Sequence, residues 1–215
     1  MFKKLFTKQK KLSEEEEEKL ESDWYDEKSQ LMESILGIEH DMVMHALIPY
    51  EIGGSLDLYY FPRGIKGTAI ATKELAHACR ESSSNNTFTK YELVMFTSEN
   101  LNLDNANDTN TAFGSAHQNI CSILNPIANY SEQATLDLNE TCEFPTDMED
   151  IGGKCLIFSN YGKIQNKQGF GLLLIIEIFH SEMKYAMDFG GSKLITLLKE
   201  SNIYPYSDLN RDPVA

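Results

Sequence analysis

At 215 residues and 24.4 kDa, with 41% hydrophobic and 10% aromatic side chains, the chain can bury a real core, which excludes wholesale disorder. Its 33 acidic and 19 basic residues give a net charge of −14, which repels phosphate backbones and argues against nucleic-acid binding. That charge suits a basic partner, or serves solubility alone.

The opening residues, MFKKLFTKQKK, are basic but lack an apolar core of signal-peptide length, so no secretion signal is read there. No apolar run approaches the roughly 20 residues of a membrane helix. Cys79, Cys121, Cys142 and Cys155 are widely spaced, with no CxxC, so reduced thiols in a cytoplasmic protein are expected.

Residues 13–28, SEEEEEKLESDWYDEK, predict a capped helix. Ser13 takes the N-cap position and Glu16 completes a capping box. The acidic first turn favours the positive end of the helix dipole. Leu20, Trp24, Leu31 and Ile35 fall at helical spacing and form one thin apolar stripe. Two readings stand: an amphipathic helix packed on a domain, or an acidic arm for a basic partner. Residues 1–30 are accordingly assigned to an acidic N-terminal helix or arm, and 31–215 to one domain.

Strand patterning starts at Val43. Residues 43–50 are one candidate. Residues 55–61 alternate, with Leu56, Leu58 and Tyr60 on one face and Asp57, Tyr59 and Phe61 on the other. Residues 68–72 return after a Pro/Gly turn, and 91–97 form an apolar strand interrupted by Glu92. An Asn/Asp-rich loop at 100–110 precedes a helix carrying Phe113, Ala116, Ile120, Ile123, Leu124 and Ile127 on one face, with Pro126 near its end. Residues 134–138 and 155–159 are short strand candidates. Residues 172–179 have the profile of a central strand. A helix capped by Ser181 follows, Gly190-Gly191 interrupts it, and a second helix turns Leu194, Ile195, Leu197 and Leu198 inward. The implied class is α+β: a mainly antiparallel or mixed central sheet with helices packed against it.

Chemistry-bearing motifs are sparse. GxSxG, GxGxxG, the P-loop and HExxH are all missing. His40 and His45 flank Asp41 without metal-ligand spacing, and His77, His117 and His180 are isolated, so no metal and no cofactor are expected. Asp57, Glu92 and Glu177 each interrupt an apolar strand. Two of them facing one pocket would make an acid/base pair for a carboxylate-dependent hydrolase. On the open side of a sheet they would be ordinary surface or hydrogen-bonding groups.

GGSLDLYYFP, GTAIATKEL and YELVMF together resemble the suppressor-of-fused-like (SUFU) domain family. The resemblance rests on Gly53-Gly54, Leu56-Asp57-Leu58-Tyr59, Thr72-Lys73-Glu74-Leu75 and Glu92-Leu93. A second block, SEMKYAMDFGGSKLITLLKESNIYPYSDLNRDPV, is similar to the family's closing helix–Gly–helix segment and its late Asp…Arg…Val phrase, at Asp208, Arg211 and Val214. The likeness covers roughly residues 31–215, and 100–153 match poorly. It implies a single α+β domain that binds protein and is not an enzyme. Animal members sequester a transcription factor through a peptide and carry a further C-terminal domain, for which this chain is too short. Short bacterial relatives resemble immunity proteins of polymorphic toxin systems. The resemblance therefore implies a cytoplasmic bacterial immunity or antitoxin-like protein that neutralises a toxin domain, its acidity suiting a basic cleft. The alternative is a regulatory scaffold that captures an extended peptide at a sheet edge. Asp57, Tyr59 and Glu92 are the candidate partner-binding residues, since exposed aromatic and charged side chains anchor interfaces. The other reading of those three is that they stabilise the sheet.

Overall fold

The computed structural model describes residues 12–162 and 169–215, so the basic opening segment lies outside the described residues. Among these, a seven-stranded mixed sheet runs in the order β1-β2-β3-β4-β7-β6-β5. Its strands are β1 (Val43–Met44), β2 (Leu58–Phe61), β3 (Thr68–Ala71), β4 (Lys90–Thr97), β5 (Thr141–Glu143), β6 (Cys155–Asn160) and β7 (Phe170–Ile178). Only β4 and β7 pair in parallel, with Glu92 beside Leu172 and Leu93 beside Leu173. All other pairs are antiparallel. This is the α+β class expected.

Helices cover both faces. On one lie α1 (Glu14–Leu36), α3 (His180–Phe189) and α4 (Gly191–Glu200), packed on Val94, Phe96, Leu172, Leu174 and Ile176. On the other, α2 (Ala112–Ser131) sets Ile120, Ile123, Leu124 and Ile127 against Tyr91, Leu93, Met95, Leu173 and Ile175. With both faces covered, β7 is buried along its whole length, which is why residues 172–176 read as a continuous apolar run.

α1 begins as its sequence requires. Ser13 Oγ accepts from the Glu16 N–H at 3.3 Å, and Glu16 Oε2 accepts from the Ser13 N–H at 2.9 Å. Its buried stripe differs from the expected one. Trp24, Lys28, Met32 and Leu36 are buried, while Leu20 is exposed and Leu31 and Ile35 pack only in part. A lysine takes a core position because an acceptor cluster waits for it, a pairing that hydrophobic periodicity does not register. One unbroken helix crosses residue 30, so the boundary drawn there falls inside α1, and the helix is docked from Glu21 onward, whose carboxylate accepts from the Ala78 and Cys79 N–H groups. Trp24 Nε1 donates to the Ala76 carbonyl at 2.8 Å, and its ring meets Phe170 edge-on at 5.5 Å. The helix ends at Gly37 (φ +85°), against Gly64 of the β2–β3 turn. A Cβ on Gly64 would lie 1.8 Å from the Leu36 carbonyl oxygen, so this approach requires glycine.

Other elements shift from expectation. The strand expected at 43–50 shortens to β1, because its second half turns away and ends in a 3-10 turn at Tyr50–Ile52. Pro126 lies inside α2, where its ring removes a backbone bond. The helix continues to Ser131 because Ile127, Ala128 and Ser131 bury their side chains. Residues 134–138 are not a strand; the edge strand is β5, a few residues later. Phe179, not Ser181, caps α3, and its N–H donates to the Glu182 carboxylate at 2.9 Å. All four cysteines are free. No described helix is long and apolar enough to cross a membrane.

Candidate functional site: an apolar sheet edge

Asp57 organises the β1 edge. Just before β2, its Oδ1 accepts from the Ala46 N–H at 2.9 Å and its Oδ2 contacts His45 Nδ1 at 2.7 Å. Leu56 N–H donates to Asn125 Oδ1 of α2 at 2.8 Å, and Asp57 N–H donates to Glu74 Oε2 at 2.7 Å. These four bonds pin both ends of the loop between β1 and β2.

The pinned loop and the residues leading into β1 present an unusual surface. Leu47 is fully exposed, Ile52 is 75% exposed, and Ile38, Met42 and Ile48 are each more than half exposed. A groove of about 420 Å³ runs beneath the loop, lined by Met44, Leu47, Ile48, Leu56, Leu58 and Asn125. Among the described residues β1 is the end of the sheet, and no further described strand pairs with its outer backbone edge. Single exposed apolar residues are ordinary; several grouped along one sheet edge mark an interaction surface.

The three expected partner-binding residues separate. Asp57 borders the apolar edge and is partly exposed. Tyr59 is 7% exposed, lying under the Lys73 ammonium, which sits 4.6 Å from its ring centre. Its hydroxyl reaches Tyr25 of α1 at 3.5 Å, and burial with the nearby Tyr25 raises its phenol pKa above the usual range. Glu92 has no exposed surface, which corrects the expectation of an exposed charge there. It accepts from Lys28 Nζ at 2.8 Å, Thr72 Oγ1 at 2.6 Å, the Ala76 N–H at 3.0 Å and the Leu75 N–H at 3.2 Å. Its sequence neighbours Leu93 and Tyr91 face α2; the carboxylate therefore points beneath α1.

The strand carboxylates form no shared pocket. Glu177 faces α2, opposite to Glu92, and accepts from Asn119 Nδ2 at 2.6 Å with Lys154 Nζ 3.6 Å away. Each of the three is engaged in bonds that hold strands, loops or helices together, so the acid/base pair has no geometry behind it.

Two clusters escaped the sequence reading. Glu182 receives both Arg211 terminal nitrogens, at 2.6 and 2.8 Å, and the Val214 N–H at 2.9 Å. Arg211 Nε donates to the Asp208 carbonyl at 3.0 Å, so the Asp…Arg…Val phrase closes on α3. At the far edge of the sheet, Glu143, Cys155 and His180 converge, although the histidine is isolated in sequence.

Glu74, beside Asp57, supplies a pH-dependent test. Burial and the neighbouring carboxylates of Asp57 and Glu92 push its pKa up to about 7, against the lowering effect of the Asp57 N–H. A raised folded-state value means the folded protein holds a proton that the unfolded chain has lost. The contribution of this group to stability is then greatest below about 4.5 and falls as pH rises to about 7. Glu74→Gln is expected to be more stable than the parent by about 1–2 kcal/mol near pH 8, discounted for the group's solvent exposure, with the gap closing toward pH 5. Urea titrations at the two pH values read this directly, and a pH-independent gap would sink it.

No protein-family model matches the chain, and no curated protein matches it in sequence. Solved structures do match in fold. A Sufu–Fu complex structure superposes with a TM-score of 0.58 at 14% identity, over 91% of this chain and 92% of that one. Drosophila Suppressor of Fused superposes with a TM-score of 0.54 at 15% identity, over 82% of this chain and 46% of that one. The chain thus spans less than half of the Drosophila protein. The SUFU-like fold that the two sequence blocks imply is the fold observed.

Proposed function

We propose that this chain is a non-catalytic protein-binding module that captures an extended, apolar segment of a partner protein at its β1 edge. The observation that carries the reading is the apolar group at Ile38, Met42, Leu47, Ile48 and Ile52, set on a free strand edge. An incoming strand would pair with the β1 backbone and place alternate side chains in the groove beneath Leu47. The fold likeness supports this, since one neighbour is a complex of Sufu with Fu. The free thiols suit a cytoplasmic setting.

A second reading, immunity-like capture of a basic toxin domain, is favoured by the net charge of −14 and by the acidic start of α1, where Glu14, Glu17, Glu18 and Glu21 border one depression. One experiment separates the two. Tagged protein is used to capture partners at low and high salt, alongside Leu47→Glu/Ile52→Glu. Both side chains are exposed, so stability should change by less than about 0.5 kcal/mol. The edge reading expects a partner kept at high salt, lost in the double variant, and displaced by a short linear peptide from the partner. A partner lost at high salt and indifferent to the double variant would reject the edge and favour charge-driven neutralisation.

A further inference from the structure

We propose that Glu143, Cys155 and His180 form a binding site for one divalent transition metal of zinc-like character. The site lies at the sheet edge opposite the partner-binding edge and does not depend on that reading.

Three elements build it. Glu143 of β5 pairs directly with Cys155 of β6, so both side chains share a face. Cys155 in turn pairs with Ile178 of β7, and the chain leaving β7 enters α3 at His180. One donor atom from each residue lies within 4.8 Å of the others, and His180 Nε2 is 3.0 Å from Glu143 Oε1. Cys155 is buried on a ladder-bonded strand, and its thiol reaches the Gly153 carbonyl at 3.6 Å. The His180 and Glu143 side chains are partly exposed and free to turn toward an ion. Around a tetrahedral ion with bonds of about 2.0–2.3 Å, donors stand roughly 3.3–3.8 Å apart. The histidine and glutamate would open slightly and close on the sulfur.

The donor set selects the metal. One thiolate, one imidazole and one carboxylate are a poor set for calcium or magnesium, which take oxygen ligands. They suit Zn²⁺, leaving a fourth position open toward solvent. Binding replaces the Cys155 thiol proton, which leaves to solvent. Cys142 is next in sequence to Glu143 but packs toward the α2 core, so it stays outside the site. The consequence is structural: β5, a three-residue edge strand, and the first turn of α3 become tied to β6.

The test uses purified, metal-free protein titrated with Zn²⁺ and, separately, with Co²⁺. Calorimetry should give one Zn²⁺ per chain, and the thermal midpoint should rise with Zn²⁺ concentration. The Co²⁺ form should show thiolate-to-cobalt charge-transfer absorption, kept in Cys142→Ser and lost in Cys155→Ser. His180→Ala, at an exposed ring, should weaken Zn²⁺ binding by at least about tenfold, which keeps the test valid should Cys155→Ser fail to fold. No binding at about 100 µM Zn²⁺, or affinity unchanged in His180→Ala, would overturn the site and leave a plain Glu143–His180 ion pair.

Discussion

Lys28→Met should cost about 3–5 kcal/mol of folding stability, more than an ordinary surface lysine by an order of magnitude. The lysine is 3% exposed and its partner Glu92 is fully buried. Removing the ammonium leaves a carboxylate in the interior with hydrogen bonds but no counter-charge, and takes a donor from the carbonyls of Lys73 and Ala76. Glu92→Ala should be comparably damaging, because it orphans Lys28 together with the Leu75 and Ala76 N–H groups and the Thr72 hydroxyl. Replacing both at once, as Lys28→Met/Glu92→Ala, should cost clearly less than the sum of the single changes, since neither charge is then left alone. Urea unfolding of the four proteins gives the coupling. If Lys28→Met costs under about 1 kcal/mol, this cluster is not what docks α1 on the sheet.

The second large effect is at the other end of the chain. Arg211→Ala should destabilise the protein by about 2–4 kcal/mol and release the segment from Asp208 onward. Glu182 is fully buried and holds this segment by two Arg211 bonds and the Val214 N–H, while Arg211 also lies 4.8 Å over the Phe179 ring. Burial works to raise the Glu182 pKa, but Arg211 and the Val214 and Phe179 N–H groups outweigh it and hold the pKa below 4.5. A depressed folded-state value gives stability that is full above about 4.5 and is lost as pH falls through the folded pKa. In Arg211→Ala that acid-side loss should flatten. Amide exchange should accelerate in the tail and leave β4 and β7 protected. Exchange that rises equally in the central strands would mean that Arg211 supports the whole fold.

These two clusters also separate what one-dimensional pattern reveals from what it hides. The central strands were legible because a doubly covered strand must be apolar on both faces, as in the LLLII run of β7. The apolar face of α2 and the Ser13–Glu16 capping box were legible because they rest on contacts three or four residues apart. Asp57 stood out because it interrupts an apolar strand, and it does border the apolar edge. Glu92 interrupts one too and Tyr59 was chosen as an exposed aromatic, but both lie under α1, since alternation says which face a side chain takes and not whether a helix covers that face.

The apolar edge itself was read as a strand at 43–50. Its exposure follows from Asp57 and Asn125 pinning the loop outward, which composition does not encode. By itself, the sequence determined the α+β class, the identity of the central strands, the cap of α1 and the absence of familiar catalytic signatures, all of which are local or periodic properties. Only the tertiary structure decided that Lys28 meets Glu92 across 64 residues, that Arg211 meets Glu182 across 29, and that Glu143, Cys155 and His180 share one corner. The physical reason is common to all three. A charge or a metal ligand is defined by its partner, and strand pairing and helix docking bring partners together across separations at which the sequence carries no periodic signal.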